Sequence, residues 1–155
     1  MGEALKKWLK LSKNLNPREE VDLNLRVAVN LLDENFSKLL DSFGITAAQY
    51  NVLRILKGVY PDGHARCEIA IRMIERASDI TRIIDRLEKQ EWVQRDRTSE
   101  DRRMSITRIT EKGIDLINKI HPLLEKEHLE STKPLTLEEC KQLSELLEKL
   151  YENRI

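Results

Sequence analysis

Apolar residues recur along most of this chain at three- and four-residue intervals, the spacing of one face of an α-helix. Over residues 18–42, Val21, Leu25, Leu32, Phe36, Leu39 and Leu40 form such a stripe, widened by Leu23, Val27 and Leu31. The stripe is broader than one intrachain core requires. Gly44 ends the segment. A second helix starts at Thr46, which with Gln49 makes a capping box, while Ile45 and Tyr50 fall at the two positions of a hydrophobic staple. Val52, Leu53 and Leu56 supply its buried face, Gly58 its stop, and residues 60–63 a turn.

A short helix is predicted over residues 67–73, with Ile69, Ala70 and Met73 apolar. After a tight connection another runs over 78–90, with Ser78 as its N-cap and Asp79 complementing its dipole. Its Ile80, Ile83, Ile84 and Leu87 share one face. The period then changes. Residues 92–97 read as extended, 98–101 as a polar tip, and 103–109, rich in β-branched side chains, as the return strand of a β-hairpin. Thr110 caps a further helix carrying Ile114, Ile117 and Ile120, in which Pro122 predicts a kink or local break. The last helix, over residues 136–152, opens on a capping box of Thr136 and Glu139 and is lined by Leu143, Leu146, Leu147 and Leu150. Ahead of all these, Leu5, Trp8, Leu9 and Leu11 among lysines suit a short amphipathic helix or an arm packed on a partner, before a break at residues 14–17.

The order is four helices, a hairpin and two long helices, a mainly α fold with a small β wing. Length supports the same division. The 155 residues fit one domain, with residues 45–110 as a winged helix-turn-helix and residues 18–42 and 111–153 as dimerisation helices. Charged residues make up 35% and hydrophobic ones 40%, so the core is modest for the length. Net charge is zero, but unevenly spread: +2 over residues 1–20, −1 over 21–64, +2 over 65–110 and −3 over 111–155. A polyanion needs a local basic surface, not a basic protein. Cys67 and Cys140 lack metal-site spacing, and no apolar run reaches membrane-spanning length, so a reduced, cytoplasmic setting is expected. Residues 1–13 are basic but lack the apolar run and cleavage site of a signal peptide.

The candidate chemistry lies on the helix over 78–90. Burying its isoleucines leaves Ser78, Asp79, Thr81, Arg82, Asp85, Arg86 and Lys89 facing out. Short polar groups followed by arginines suit the major groove of double-stranded DNA. Thr81 and Arg82 are expected at base edges, Arg86 or Lys89 on phosphates, and Ser78 with the helix N-terminus near a phosphate. The hairpin tip carries Arg97, Asp101, Arg102 and Arg103, where an aspartate can orient an arginine for the minor groove. The competing readings are plainer. Arg82 and Arg86 could pair with Asp79 or Asp85 on a solvated helix, and the wing charges could be a solvated tip. Trp8 and Trp92 read as packing residues rather than stacking platforms. His121, Glu125 and His128 share a helical face, but Pro122 disturbs the spacing and no fourth ligand is evident, so no metal is expected. Cys67 and Cys140 have no visible resolving partner. With no nucleophile–base set and no phosphate loop, neither an enzyme nor a cofactor is expected.

Three stretches resemble one family. Residues 87–95, then Glu100-Asp101-Arg102-Arg103, then Ile109-Thr110-Glu111-Lys112-Gly113 are similar to the wing region of the multiple antibiotic resistance regulator (MarR) family. Cys67-Glu68-Ile69-Ala70 and Ser78-Asp79-Ile80-Thr81-Arg82 resemble its two helix-turn-helix helices, and residues 45–50 the start of its second helix. The resemblance spans about residues 20–153 and is most specific over 78–113. It implies a homodimer on a pseudo-palindromic operator, usually a repressor, often released by a small-molecule effector. It also implies that Asp101 and Arg103 are the wing pair, with Arg103 in the minor groove and Arg102 on the backbone, and that Arg95 supports the wing. Two positions depart from the pattern. Glu91 stands where a glycine usually follows the recognition helix, a backbone position that often needs positive φ and costs a non-glycine residue on the order of 1 kcal/mol. Residues 74–77 also lack the common glycine. Two other functions fit the same architecture: a winged-helix protein-interaction scaffold without specific DNA binding, or, more remotely, a small-molecule carrier.

Overall fold

The computed structural model describes residues 2–74, 79–96 and 105–154. Seven α-helices and three short strands occur among them: α1 (Glu3–Leu9), α2 (Pro17–Asp41), α3 (Ala47–Lys57), β1 (His64–Ala65), α4 (Arg66–Arg72), α5 (Ile80–Lys89), β2 (Val93–Arg95), β3 (Ile106–Ile109), α6 (Glu111–Thr132) and α7 (Leu137–Glu148). The strands form one antiparallel sheet in the order β1-β3-β2. The fold is mainly α with a small β wing, as expected.

Local signals place most helix starts. Thr46 accepts from the Gln49 amide, and the Gln49 side chain accepts from the Thr46 amide. Thr136 and Glu139 repeat the arrangement ahead of α7. There the two Thr136 hydrogen bonds hold the Glu139 carboxyl below its ordinary pKa. A third box, Asn16 with Glu19, starts α2 with Pro17 at its first position, where the missing amide costs nothing. The cap of α5 differs from expectation. Asp79, not Ser78, is the N-cap, and its carboxylate accepts from the Arg82 amide at 3.2 Å. Both residue types cap well, so local chemistry alone could not choose between them.

Of the two forms expected before residue 17, the short helix is the one found, with Leu5 buried. Two further differences have physical causes. The strand β1, absent from the pattern, is two residues held by pairing His64 with Thr107 and Ala65 with Ile106. Gly63 makes that approach possible. It has φ 80°, and a Cβ there would stand 2.3 Å from the Thr107 carbonyl oxygen. Finally, of the kink or break expected at Pro122 there is no break: α6 is helical on both sides of it. Proline removes one backbone hydrogen bond, and burial of Ile117, Ile120 and Leu124 on both sides outweighs that loss.

One core cluster joins α3, α4, α5, the wing strands and α6, with Leu40 from the end of α2. Leu53, Leu56, Ile69, Ile84, Leu87 and Ile120 are almost fully buried within it. Phe36 meets Tyr50 edge to face at 5.7 Å, tying α2 to α3. The rest of α2 and all of α7 contribute no buried residue.

Candidate nucleic-acid interface

The geometry of α5 follows from its sequence. Ile80, Ile84 and Leu87 lock one face into the core. Arg82, Arg86 and Lys89 are left exposed on the opposite side, with Thr81 half-buried at its edge. Arg82 reaches Asp79 at 2.8 Å, as the plainer reading allowed, yet its side chain is 79% exposed. An exposed pair of this kind is weak, so a phosphate or base can displace it. Helix polarity reinforces the layout, because the half-positive N-terminal end of α5 carries the short polar groups.

Arg95 has a different environment from the other candidates. It lies on β2 with its side chain only 23% exposed. Its guanidinium donates to the Asp85 carboxylate and stands 3.7 Å from Glu88, so both acids are on α5. This clamp fixes the base of the wing against α5. Arg108 on β3 donates to Asp96 at 2.7 Å across the hairpin, and the Asp96 amide donates to the Ile106 carbonyl. Ser78, Arg97, Asp101, Arg102 and Arg103 lie outside the described residues.

The other end of α5 is held by backbone and side-chain contacts. Glu91 has φ 61°, the left-handed conformation expected for that position. The Thr110 hydroxyl donates to the Glu91 carbonyl at 2.7 Å while accepting from the Gly113 amide, so one threonine caps α6 and fixes the turn after α5. Lys112 sits 2.9 Å from the Glu91 carboxylate and holds its pKa below the ordinary range. Gly113 lets α6 pack this closely, since a Cβ would lie 2.3 Å from the Trp92 carbonyl oxygen. Tyr60 donates to Glu111 at 2.7 Å, which raises the phenol pKa and links the turn after α3 to the same corner.

Arg66 was missed in the sequence. It is the first residue of α4, and its guanidinium donates to the Thr81 hydroxyl at 3.0 Å. Nothing local marks it, because the contact joins residues 66 and 81 on two helices. Asp85 was likewise expected on the open face, whereas Arg95 occupies it. His121 pairs with Glu125 at 3.5 Å, and among the described residues no group of three or more His, Cys, Asp or Glu side chains is arranged to hold a metal. No helix among them is long and apolar enough to cross a membrane.

Known proteins share this arrangement. The chain matches the family described as "Transcriptional regulator SarA/Rot" over residues 34–120, more than half its length. It is 30% identical over 125 residues to the HTH-type transcriptional regulator MhqR of Bacillus subtilis, covering 79% of this chain and 83% of that one. It is also 30% identical over 126 residues to the multiple antibiotic resistance protein MarR of Escherichia coli, covering 76% and 81%. Among solved structures, a mutant of the Escherichia coli MarR complexed with operator DNA superposes with a TM-score of 0.76 at 26% identity, over 90% of this chain and 99% of that one. The buried α3–α5 core, the three-stranded wing and these likenesses agree: the chain belongs to the MarR family of winged helix-turn-helix transcription regulators, whose role is not enzymatic.

Proposed function

We propose that this regulator is a homodimer that binds a pseudo-palindromic site in double-stranded DNA, represses transcription in the cytoplasm, and leaves the DNA when a small-molecule effector binds. The observation that carries the DNA reading is α5. One face is fixed in the core and clamped to the wing through Arg95, while Thr81, Arg82, Arg86 and Lys89 line the other. Thr81 and Arg82 would read base edges; Arg86, Lys89 and Ser78 would take phosphates. Arg103 would enter the minor groove, oriented by Asp101, with Arg97 and Arg102 on the backbone. Residues 45–110 are then the DNA-binding unit, and residues 18–42 and 111–153 join the two subunits. The likeness to a MarR protein solved with operator DNA supports the DNA partner. Repression and effector release rest on the family.

The test is selection of bound duplexes from a random pool by the full chain. A palindromic site is expected, with affinity falling steeply as salt rises. Arg103→Ala should weaken that site roughly ten-fold or more without dissociating the dimer. Unchanged affinity would refute the wing assignment, and a pool that yields no preferred sequence at moderate salt would refute the DNA reading itself.

A further inference from the structure

Arg66 and Thr81 form a contact that nothing in the DNA reading above requires. Arg66 opens α4, immediately after β1, and its side chain crosses to the first turn of α5 to donate to the Thr81 hydroxyl at 3.0 Å. Arg66 is exposed and Thr81 half-buried. Three acids, on α4, on α5 and at the cap between them, are engaged with other arginines. Glu68 binds Arg72, Asp79 binds Arg82, and Asp85 binds Arg95. Arg66 therefore has no acidic partner among the described residues.

The chemistry of the pair is asymmetric. A guanidinium has five N–H donors and accepts nothing, while a hydroxyl has one donor and two acceptor lone pairs. When Thr81 accepts from a cation, its oxygen is partly committed and its own proton becomes the more polarised donor. Arg66 thus presents, beside the exposed face of α5, a surface in which donors outnumber acceptors: the hydroxyl proton and the remaining guanidinium N–H groups against one lone pair left on Thr81. Its preferred ligands are acceptors. On DNA these are phosphate oxygens and, in the major groove, purine N7, guanine O6 and thymine O4. The amino edge of cytosine, which only donates, is disfavoured beside a guanidinium.

We infer that Arg66 is a specificity-determining residue: it binds a backbone phosphate and holds the Thr81 hydroxyl as a donor toward an acceptor base edge, so that the base under Thr81 is selected against cytosine. This inference rests on α5 being the recognition helix. It assigns the first helix of the motif a part in base selection, exerted through the second.

The experiment takes the duplex selected by the full-length wild-type protein and varies every position in one half-site to each of the four bases, across a range of salt. Arg66→Ala should flatten the preference at one position of the half-site, lower affinity about ten-fold, and reduce the slope of log affinity against log salt by about 1. Arg66→Lys keeps the charge but not the rigid fork. It should retain the salt slope while losing the preference. Thr81→Val should flatten the same position with the slope intact, and adding Arg66→Lys to it should cost no further preference. A merely structural role for Arg66 would move none of these position by position. The lysine variant, as the milder change, carries the test if the alanine variant fails to fold. The inference is overturned if wild type selects a site while both Arg66 variants keep its preference at every position. Failure of wild type to select any site instead overturns the DNA reading, and this inference with it.

Discussion

Helices α5 and α7 carry the same kind of sequence signal and meet opposite fates. Each is amphipathic, each opens on a side-chain cap, and they are 10 and 12 residues long. In α5 the apolar stripe is consumed by its own chain: Ile84 and Leu87 are 2% and 0% exposed. In α7 no residue is buried, and Leu137, Leu143 and Leu146 are 84%, 44% and 59% exposed. Val21, Val29 and Leu32 of α2 and Leu129 of α6 are exposed as well. Isolated apolar side chains on a surface need no explanation, but several leucines on the stripe of one capped helix do. A stripe records that a face will be buried; it does not record by what. In the dimer proposed above, α5 finds its cover within the subunit and α7 finds it on a second copy.

Charging the stripe of α7 tests that difference most severely. Leu143→Asp with Leu146→Asp puts two carboxylates into the proposed interface, each several kcal/mol out of place without a partner. The variant should be monomeric at micromolar concentration by light scattering and should lose operator affinity, with its helical circular dichroism largely kept. If it elutes and scatters as wild type does, α7 is a solvated helix and the comparison collapses. Truncating the stripe of α5 should act differently. Leu87→Ala removes a fully buried side chain and should cost about 2–5 kcal/mol of stability, read as a lower urea midpoint, while the folded fraction stays dimeric. A loss below about 1 kcal/mol would mean that α5 is less firmly built into the core than its burial indicates.

The same division explains what was legible before the fold was known. Capping boxes at Thr46 and Thr136 were readable because both partners lie within one turn. The isoleucine face of α5 was readable because its period is local. The choice between Ser78 and Asp79 as cap was not, since adjacent residues competed on equal terms. Strand β1 was invisible because His64 and Ala65 have no strand character of their own; they pair only because Thr107 and Ile106 arrive beside them. In the site, the exposed residues of α5 followed from subtraction of its buried face. The partners of its supports did not, although resemblance had already given Arg95 as one of those supports. Arg66 on Thr81 and Arg95 on Asp85 join different elements, and a single sequence carries no trace of such pairings. The wing tip was legible from its hairpin pattern and charges, the roles of Asp101, Arg102 and Arg103 came from resemblance, and residues 97–104 lie outside the described residues.

The exits of the two helices provide the smallest and most selective test. The C-caps Gln90 of α5 and Lys149 of α7 both keep right-handed dihedrals, and no positive φ follows Lys149 among the described residues, but the residue after Gln90, Glu91, turns the chain into the wing at φ 61°. Its carbonyl accepts from Thr110, a backbone contact that any side chain preserves. Its carboxylate meets Lys112 on the surface, a pair that contributes little. Glu91→Gly should therefore raise the urea midpoint slightly at neutral pH, by relieving the left-handed strain, while Glu91→Ala keeps the strain, loses the pair and lowers it. Lys112 depresses the folded pKa of Glu91 below the ordinary value of 4.5. The contribution of the pair is thus present above that value and is lost as pH falls through the folded pKa. The advantage of the glycine variant over wild type should widen in that acidic window, and the deficit of the alanine variant should shrink. A glycine variant less stable than the alanine one at pH 7 would mean that Glu91 is not strained, and that α5 leaves its face of the core as freely as α7 does.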